Sequence, residues 1–296
     1  MHRVQQARNI LTTYTGVTPA WYRYAARQQI SFYDTVEMKN GTVNKIEAVS
    51  NNTFFEVLTK LPGRKAKVIT ARKIVLATGL RDDIPNTPGL AKNFANGIYW
   101  CPWCDGHEHA DQQLGLIGRL QSVPGTVREI LTLNKDIIAF TNGTDTAENR
   151  KLTAQDNPDW ETSLRLNNVT IEDRIIKSIH RLRNGEPKNA DPSLPSVPEN
   201  DLFRVDFFEG PSIKRNAFLT SFGTSQASQV GPELGVDLWG GKLAVNDKKG
   251  LVTNIPGVYA VGDANSDNST NVPHALWSGK RSAVFLHGKI LCPRSN

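Results

Sequence analysis

Short apolar runs closed by glycine recur along the chain and set its predicted architecture. Lys73-Ile-Val-Leu-Ala-Thr-Gly79 is the first. A run without polar alternation reads as a strand covered on both faces, as in parallel α/β sheets. Leu114-Gly-Leu-Ile-Gly118 repeats the pattern and is followed by helical spacing from Val127 to Leu133 and a strand from Asp136 to Phe140. That is a βαβ order. A third run, Ile255-Pro-Gly-Val-Tyr-Ala-Val-Gly262, precedes a terminal helix predicted over Ala275 to Leu291.

Other segments alternate. Val43 to Leu58 has the period of antiparallel strand, with Gly41 and the pair Asn51 and Asn52 as turn signals, and Ala66 to Ile69 answers it across Pro62 and Gly63. A small meander is predicted. Arg174 to Leu182 and Leu202 to Phe208 read as paired strands, and Ile30 to Met38 as strand-like. The Pro-rich loop from Asn184 to Asp201 is too long and polar for core and is expected to be mobile. No solenoid repeat is visible.

At 296 residues and 39 % hydrophobic, the chain can form two compact domains. The net charge of +6 is spread along the sequence, with 29 acids against 35 bases, so no nucleic-acid patch is read from it. No apolar run approaches the roughly 18 to 20 residues that cross a bilayer, and a soluble, cytoplasmic protein is expected. The first 33 residues carry Arg3, Arg8, Arg23 and Arg27 and no acid before Asp34, the composition of a transit peptide. Trp21, Tyr22 and the strand-like stretch point instead to folded domain. Three cysteines are too few for a secreted disulfide framework.

Two of them, in Cys101-Pro-Trp-Cys104, have the spacing of redox or metal chemistry. At a helix N-terminus such a pair can close a disulfide, with one sulfur stabilised as thiolate. Asp105 follows directly and is placed to shuttle a proton as the disulfide opens and closes. The alternative is zinc, with His107 and His109 as further ligands. Both lie within five residues of Cys104, closer than usual finger spacing, so redox is the favoured reading and no metal is assigned. A thioredoxin-type module carries this motif after one strand, whereas about a hundred residues of α/β sequence precede it here. Cys292, alone near the C-terminus, reads as a buried or frayed-end thiol.

Ala77-Thr-Gly79, Cys101-Pro-Trp-Cys-Asp-Gly106 and Val258-Tyr-Ala-Val-Gly-Asp263 occur in the order found in low-molecular-weight thioredoxin reductases, and nearly the whole chain resembles that family. Leu80-Arg-Asp-Asp-Ile-Pro85, Asp105-Gly-His-Glu-His109 and Pro273-His-Ala-Leu-Trp-Ser-Gly-Lys-Arg281 look most like its fungal branch with the gliotoxin-type dithiol oxidases. The resemblance implies two Rossmann-like, three-layer domains. An FAD domain (residues 1–97 and 219–296) is interrupted by a nicotinamide-type domain (98–218) that carries the cysteines, and the subunits pair as a homodimer. It also implies that Cys104 faces the flavin, Cys101 exchanges with substrate and Asp105 is the acid/base. Gly262 and Asp263 would hold the ribityl and pyrophosphate region, His274 and Ala275 would lie by the isoalloxazine, and Val36 with Ala77, Thr78 and Gly79 would approach the adenosine end. Independently, a strand ending in Gly-Asp permits close backbone approach and offers a carboxylate to ribityl hydroxyls.

Two departures from the family change what is expected. The opening strand, Gly-x-Gly-x-x-Gly turn and helix that seat the FAD pyrophosphate are missing, since Met1 resembles a point roughly 45 residues into the domain. The first βαβ unit is therefore expected to be absent and FAD to be weakly held. In the second domain, Leu120 and Val123 stand where small residues let backbone approach a pyrophosphate, and Thr141-Asn-Gly-Thr144 lacks an arginine for a 2′-phosphate. NADPH is not expected to reduce the protein directly. The resulting expectation is FAD-dependent oxidation of a small-molecule dithiol by dioxygen, in secondary metabolism by resemblance. The alternatives are NADPH-dependent reduction of a thioredoxin-like protein and a non-catalytic remnant.

Overall fold

The computed structural model describes residues 19–187, 189, 197–267 and 269–291. The elements in chain order are α1 (Pro19–Ser31), β1 (Thr42–Val49), β2 (Phe54–Lys60), β3 (Lys67–Ala71), β4 (Ile74–Leu76), β5 (Leu80–Asp82), α2 (Leu90–Asn93), β6 (Ile98–Tyr99), α3 (Pro102–Asp105), β7 (Leu114–Gly118), α4 (Val123–Ile130), β8 (Ile137–Phe140), α5 (Ala147–Asp156) and α6 (Trp160–Leu166). There follow β9 (Thr170–Glu172), β10 (Ile176–Arg183), β11 (Leu202–Phe207), β12 (Ile213–Arg215), β13 (Ala217–Ser221), β14 (Thr224–Gln226), α7 (Val230–Glu233), β15 (Leu238–Trp239), β16 (Lys242–Leu243), β17 (Val258–Ala260) and α8 (Val272–Leu291). The chain divides into two units, one containing residues 84–223 and the other 27–83 with 224–296.

The first unit is a three-layer α/β domain. Its central sheet has the order β6-β13-β7-β8-β9, with every pairing parallel. Side chains alternate across it with the period of a strand. Leu114, Leu116, Ala139, Ala217 and Leu219 meet Val123, Val127 and Ile130 of α4 and Trp160 and Leu164 of α6 on one face. Ile117, Phe140 and Phe218 meet Ile176, Ile179, Phe203 and Phe207 of the antiparallel sheet β10-β11-β12 on the other. Gly115 has no alternative at the centre: a Cβ there would lie 2.3 Å from the Phe218 ring.

The second unit contains the meander β1-β2-β3, turning at Asn51 and Asn52, whose φ angles are 54° and 63°. It also holds the parallel pair β4 and β17 and the antiparallel pair β5 and β14. Its core joins Phe55, Ile74, Leu76, Val230, Leu243, Val258 and Ala260.

Several expectations need correction. Ile30 to Met38 forms no strand: its first two residues end α1 and the rest is irregular and exposed. Strand-like composition specifies a pleated half-buried surface only when a neighbour pairs with it. The run from Lys73 to Gly79 is not covered on both faces, because Val75 is 46 % exposed while Ile74 and Leu76 are buried. The helix expected from Val127 begins at Val123, and α5, α6 and the buried strand β13 were not legible as elements. Of the polar loop from Asn184 to Asp201, residues 188 and 190–196 lie outside the described residues, but Val197 and Asp201 are buried. Asp201 is tolerated there because Arg181 Nε (2.6 Å) and the Gly185 N–H (2.9 Å) donate to its Oδ1. Cys292 and residues 1–18 of the transit-peptide reading also lie outside the described residues.

Candidate active site

The edge strand β6 delivers the chain to the sulfur pair. Cys101 is extended (φ −119°, ψ 106°) and caps α3, whose first residue is Pro102. Proline is well placed there, since its fixed φ suits the first helical position and no N–H is lost from the ladder. The N–H groups of Cys104 and Asp105 both donate to the Cys101 carbonyl at 3.1 Å. A disulfide joins Cys101 and Cys104, with Cα atoms 5.1 Å apart. Both cysteines are half-buried, whereas Trp103 between them is 70 % exposed.

Asp105 is half-buried behind this pair. Its carboxyl is pushed up to about 6, first by burial and then by the neighbouring Glu108 carboxylate. A carboxyl of that affinity can both give and take a proton near neutral pH. His109 is fully buried, stacks on Tyr99 with ring centroids 5.1 Å apart, and its Nδ1 donates to the Glu199 carbonyl at 3.2 Å. Burial holds its imidazole below the usual histidine range. His107 is exposed. Among the described residues no three His, Cys, Asp or Glu side chains are grouped as metal ligands would be. Tyr99 and Glu108 escaped sequence reasoning, the first hidden in an apolar strand and the second in a polar turn.

A second group of candidates gathers in the other unit, at the ends of the parallel strands β4 and β17. Ala77 is exposed, and Thr78 and Gly79 are half-buried. Gly79 and Gly262 both have positive φ, 71° and 65°. A Cβ on Gly79 would meet nothing within 4 Å, and one on Gly262 would meet only the Ala275 Cβ at 3.9 Å. Space therefore remains over backbone that only glycine adopts freely. The Gly262 N–H donates to Ser278 Oγ at 2.9 Å, so buried Ser278 belongs to this turn although nothing in the sequence singled it out. Asp263 stays half-buried in the 3-10 turn that follows. His274 is buried at the start of α8, its N–H donating to Asn271 Oδ1 at 2.8 Å. Its Nε2 lies 3.3 Å from Asp267 Oδ1 without hydrogen-bonding geometry, leaving a buried polar atom unsatisfied. Val36 is 42 % exposed in the irregular stretch after α1. The open glycine turns and the unsatisfied His274 Nε2 fit a dinucleotide laid across the carboxyl ends of these strands.

The corresponding turn after β7 is different. Leu120 and Val123 do not project toward a pyrophosphate, as expected from the sequence; they are 0 % and 2 % exposed and pack in the core with Val127 and Ile130. Apolar side chains at this turn gain more from burial under the sheet than from facing solvent. The crevice is instead bridged by polar groups. The Leu120 N–H donates to Thr144 Oγ1 (3.0 Å), Asn149 Nδ2 to the Thr144 carbonyl (2.8 Å) and Gln121 Nε2 to Asn149 Oδ1 (2.6 Å). These residues do not fit NADPH as they stand, since an N–H that a phosphate would need is already engaged.

No family model matches the chain. A protein of Arthroderma benhamiae named as a probable thioredoxin reductase is 43 % identical over 281 residues, which are 94 % of this chain and 69 % of that protein. Thioredoxin reductase aclD of Aspergillus oryzae is 29 % identical over 179 residues, 58 % of this chain and 53 % of the relative. Among solved structures, TrxB of Bacillus anthracis, a provisional thioredoxin reductase, shares the fold with a TM-score of 0.79 at 20 % identity, covering 99 % of this chain and 88 % of its own.

Proposed function

The chain belongs to the thioredoxin reductase family, and from that premise we propose that it is an FAD-dependent dithiol oxidase. Cys101 and Cys104 would exchange electrons with a small-molecule dithiol of secondary metabolism, with dioxygen as final acceptor, in a cytoplasmic homodimer. The observation that carries the reading is the disulfide at the start of α3 with a carboxyl of raised proton affinity directly behind it. Among the described residues no helix is long and apolar enough to cross a membrane.

Within this reading, a substrate thiolate attacks Cys101 Sγ and Cys104 leaves as thiolate, which Asp105 protonates. The second substrate thiol gives its proton to Asp105 and closes the product disulfide, releasing the Cys101 thiolate. Gly79, Gly262, Asp263, His274 and Ala275 would hold FAD, which supplies a two-electron acceptor when bound. Of the family's two cofactors, the bridged turn after β7 and the absence of an arginine in Thr141-Asn-Gly-Thr144 favour FAD alone, hence oxidation over NADPH-fed reduction.

The test is anaerobic mixing of the FAD-loaded protein with a dithiol or with NADPH. The dithiol should bleach the flavin absorption and NADPH should not. Rapid bleaching by NADPH would transfer the chain to the second reading, a reductase of thioredoxin-like proteins, which the names of its relatives favour. Absence of any thiol exchange at Cys101 and Cys104 would leave a non-catalytic remnant.

A further inference from the structure

The turn that carries the sulfurs buries a second carboxyl. Asp105 closes α3, and Glu108 follows three residues later in the 3-10 turn His107–His109. The path between them is continuously hydrogen-bonded, Gly106 N–H to the Pro102 carbonyl (3.0 Å) and His109 N–H to the Gly106 carbonyl (3.2 Å). A separation of three along such a path places both acids on one side. Glu108 is only 9 % exposed, an unusual position for a glutamate because ionised groups resist leaving water. Its backbone is pinned there: the Glu108 carbonyl accepts from the Glu199 N–H at 2.8 Å and from Gln112 Nε2 at 3.1 Å.

Tyr99 completes the cluster from β6. It is fully buried, and its hydroxyl has no hydrogen-bond partner. Burial, then the Asp105 and Glu108 carboxylates, hold its proton well beyond the ordinary tyrosine range. Among the described residues the ionisable groups bearing on Asp105 are therefore Glu108 on the next turn and the neutral Tyr99 beneath.

We propose that Glu108 is a positioning residue for the sulfur chemistry, its buried carboxylate keeping a proton on Asp105 until the disulfide opens. The inference rests on Asp105 being the acid. The balance follows from the exchange already described. The substrate thiolate forms a bond to Cys101 Sγ, the S–S bond breaks, its electron pair leaves on Cys104 Sγ, and the Asp105 proton goes to that sulfur. Asp105 then takes the proton of the substrate's second thiol, whose sulfur displaces Cys101. The substrate loses two electrons, the cysteine pair gains them, and Asp105 ends as it began. Without a negative charge at residue 108, Asp105 would release its proton at lower pH and reach the exchange empty-handed.

The experiment follows reduction of the disulfide in the whole protein by dithiothreitol across pH, read by alkylation and mass analysis and referred to the reductant's thiolate concentration. This readout needs no flavin. In Glu108→Gln the pH midpoint should fall by about 0.5 to 1 unit, and Glu108→Asp should restore most of the shift. An unchanged midpoint in Glu108→Gln overturns the inference. Asp105→Asn separates the two claims: if it leaves rate and profile unaltered, the role of Asp105 itself fails; if it removes the profile while Glu108→Gln does nothing, only the role of Glu108 fails. Should Glu108→Gln not fold, carboxyl 13C NMR of the unaltered protein decides. The Asp105 and Glu108 resonances should move over a shared pH interval, and independent titrations would overturn the coupling.

Discussion

The backbone N–H of Leu120 donates to Thr144 Oγ1 at 3.0 Å, and this bond ties the turn leaving β7 to the loop leaving β8. Those two strand ends form the crevice in which α/β sheets receive dinucleotides. Thr144 is also held from its own side, its Oγ1 donating to the Thr141 carbonyl at 2.7 Å. Replacing it with valine keeps the shape and removes the acceptor, leaving the Leu120 N–H unsatisfied. Thr144→Val should cost about 1 to 3 kcal/mol of stability, read from urea denaturation; unchanged stability would show that the bridge contributes nothing.

Cys101→Ser and Cys104→Ser should each abolish dithiol oxidation by the FAD-loaded protein while leaving the fold intact. The disulfide spans a sequence separation of 3, so the loop it closes is short and its loss should cost no more than about 2 kcal/mol. Turnover surviving in either variant, measured as oxygen consumption with a dithiol, would remove the sulfur pair from the mechanism.

Asp105 makes stability depend on pH in a defined direction. Its carboxyl is raised from 3.8 to about 6 in the folded protein, so the folded state holds a proton that the unfolded chain has released. That contribution is full below about pH 4 and is lost as pH rises through about 6. Asp105→Asn does not ionise. Its stability relative to the unaltered protein should improve between pH 4 and pH 7 by on the order of 2 kcal/mol, and parallel stability curves in that interval would refute the buried-acid assignment.

Gly115 lies at the middle of the parallel sheet, where an added Cβ would stand 2.3 Å from the Phe218 ring and 3.0 Å from Phe140. Both rings are fully buried and packed against Phe203 and Phe207, so neither can withdraw. Gly115→Ala should destabilise the unit by about 1 to 3 kcal/mol through overpacking; a variant with the original denaturation midpoint would show that the aromatic layer yields.

The chain's own letters determined the parallel α/β character, the meander and the sulfur pair with its adjacent acid, because each is written in neighbouring residues. Hydrophobic period, turn residues such as Asn51 and Asn52, and the three-residue spacing of Cys101 and Cys104 act over a few positions, and the backbone obeys them locally. Tertiary structure alone decided the rest. It placed β13, distant in sequence, between β6 and β7, buried Asp201 against Arg181 in a segment that reads as polar loop, and turned Leu120 and Val123 into the core instead of toward a phosphate. It also set Tyr99 and Glu108 beside Asp105, which no spacing rule marks. The physical reason is common to all of these: burial and proton affinity are set by which distant segments pack over a residue, and a linear pattern carries no record of them.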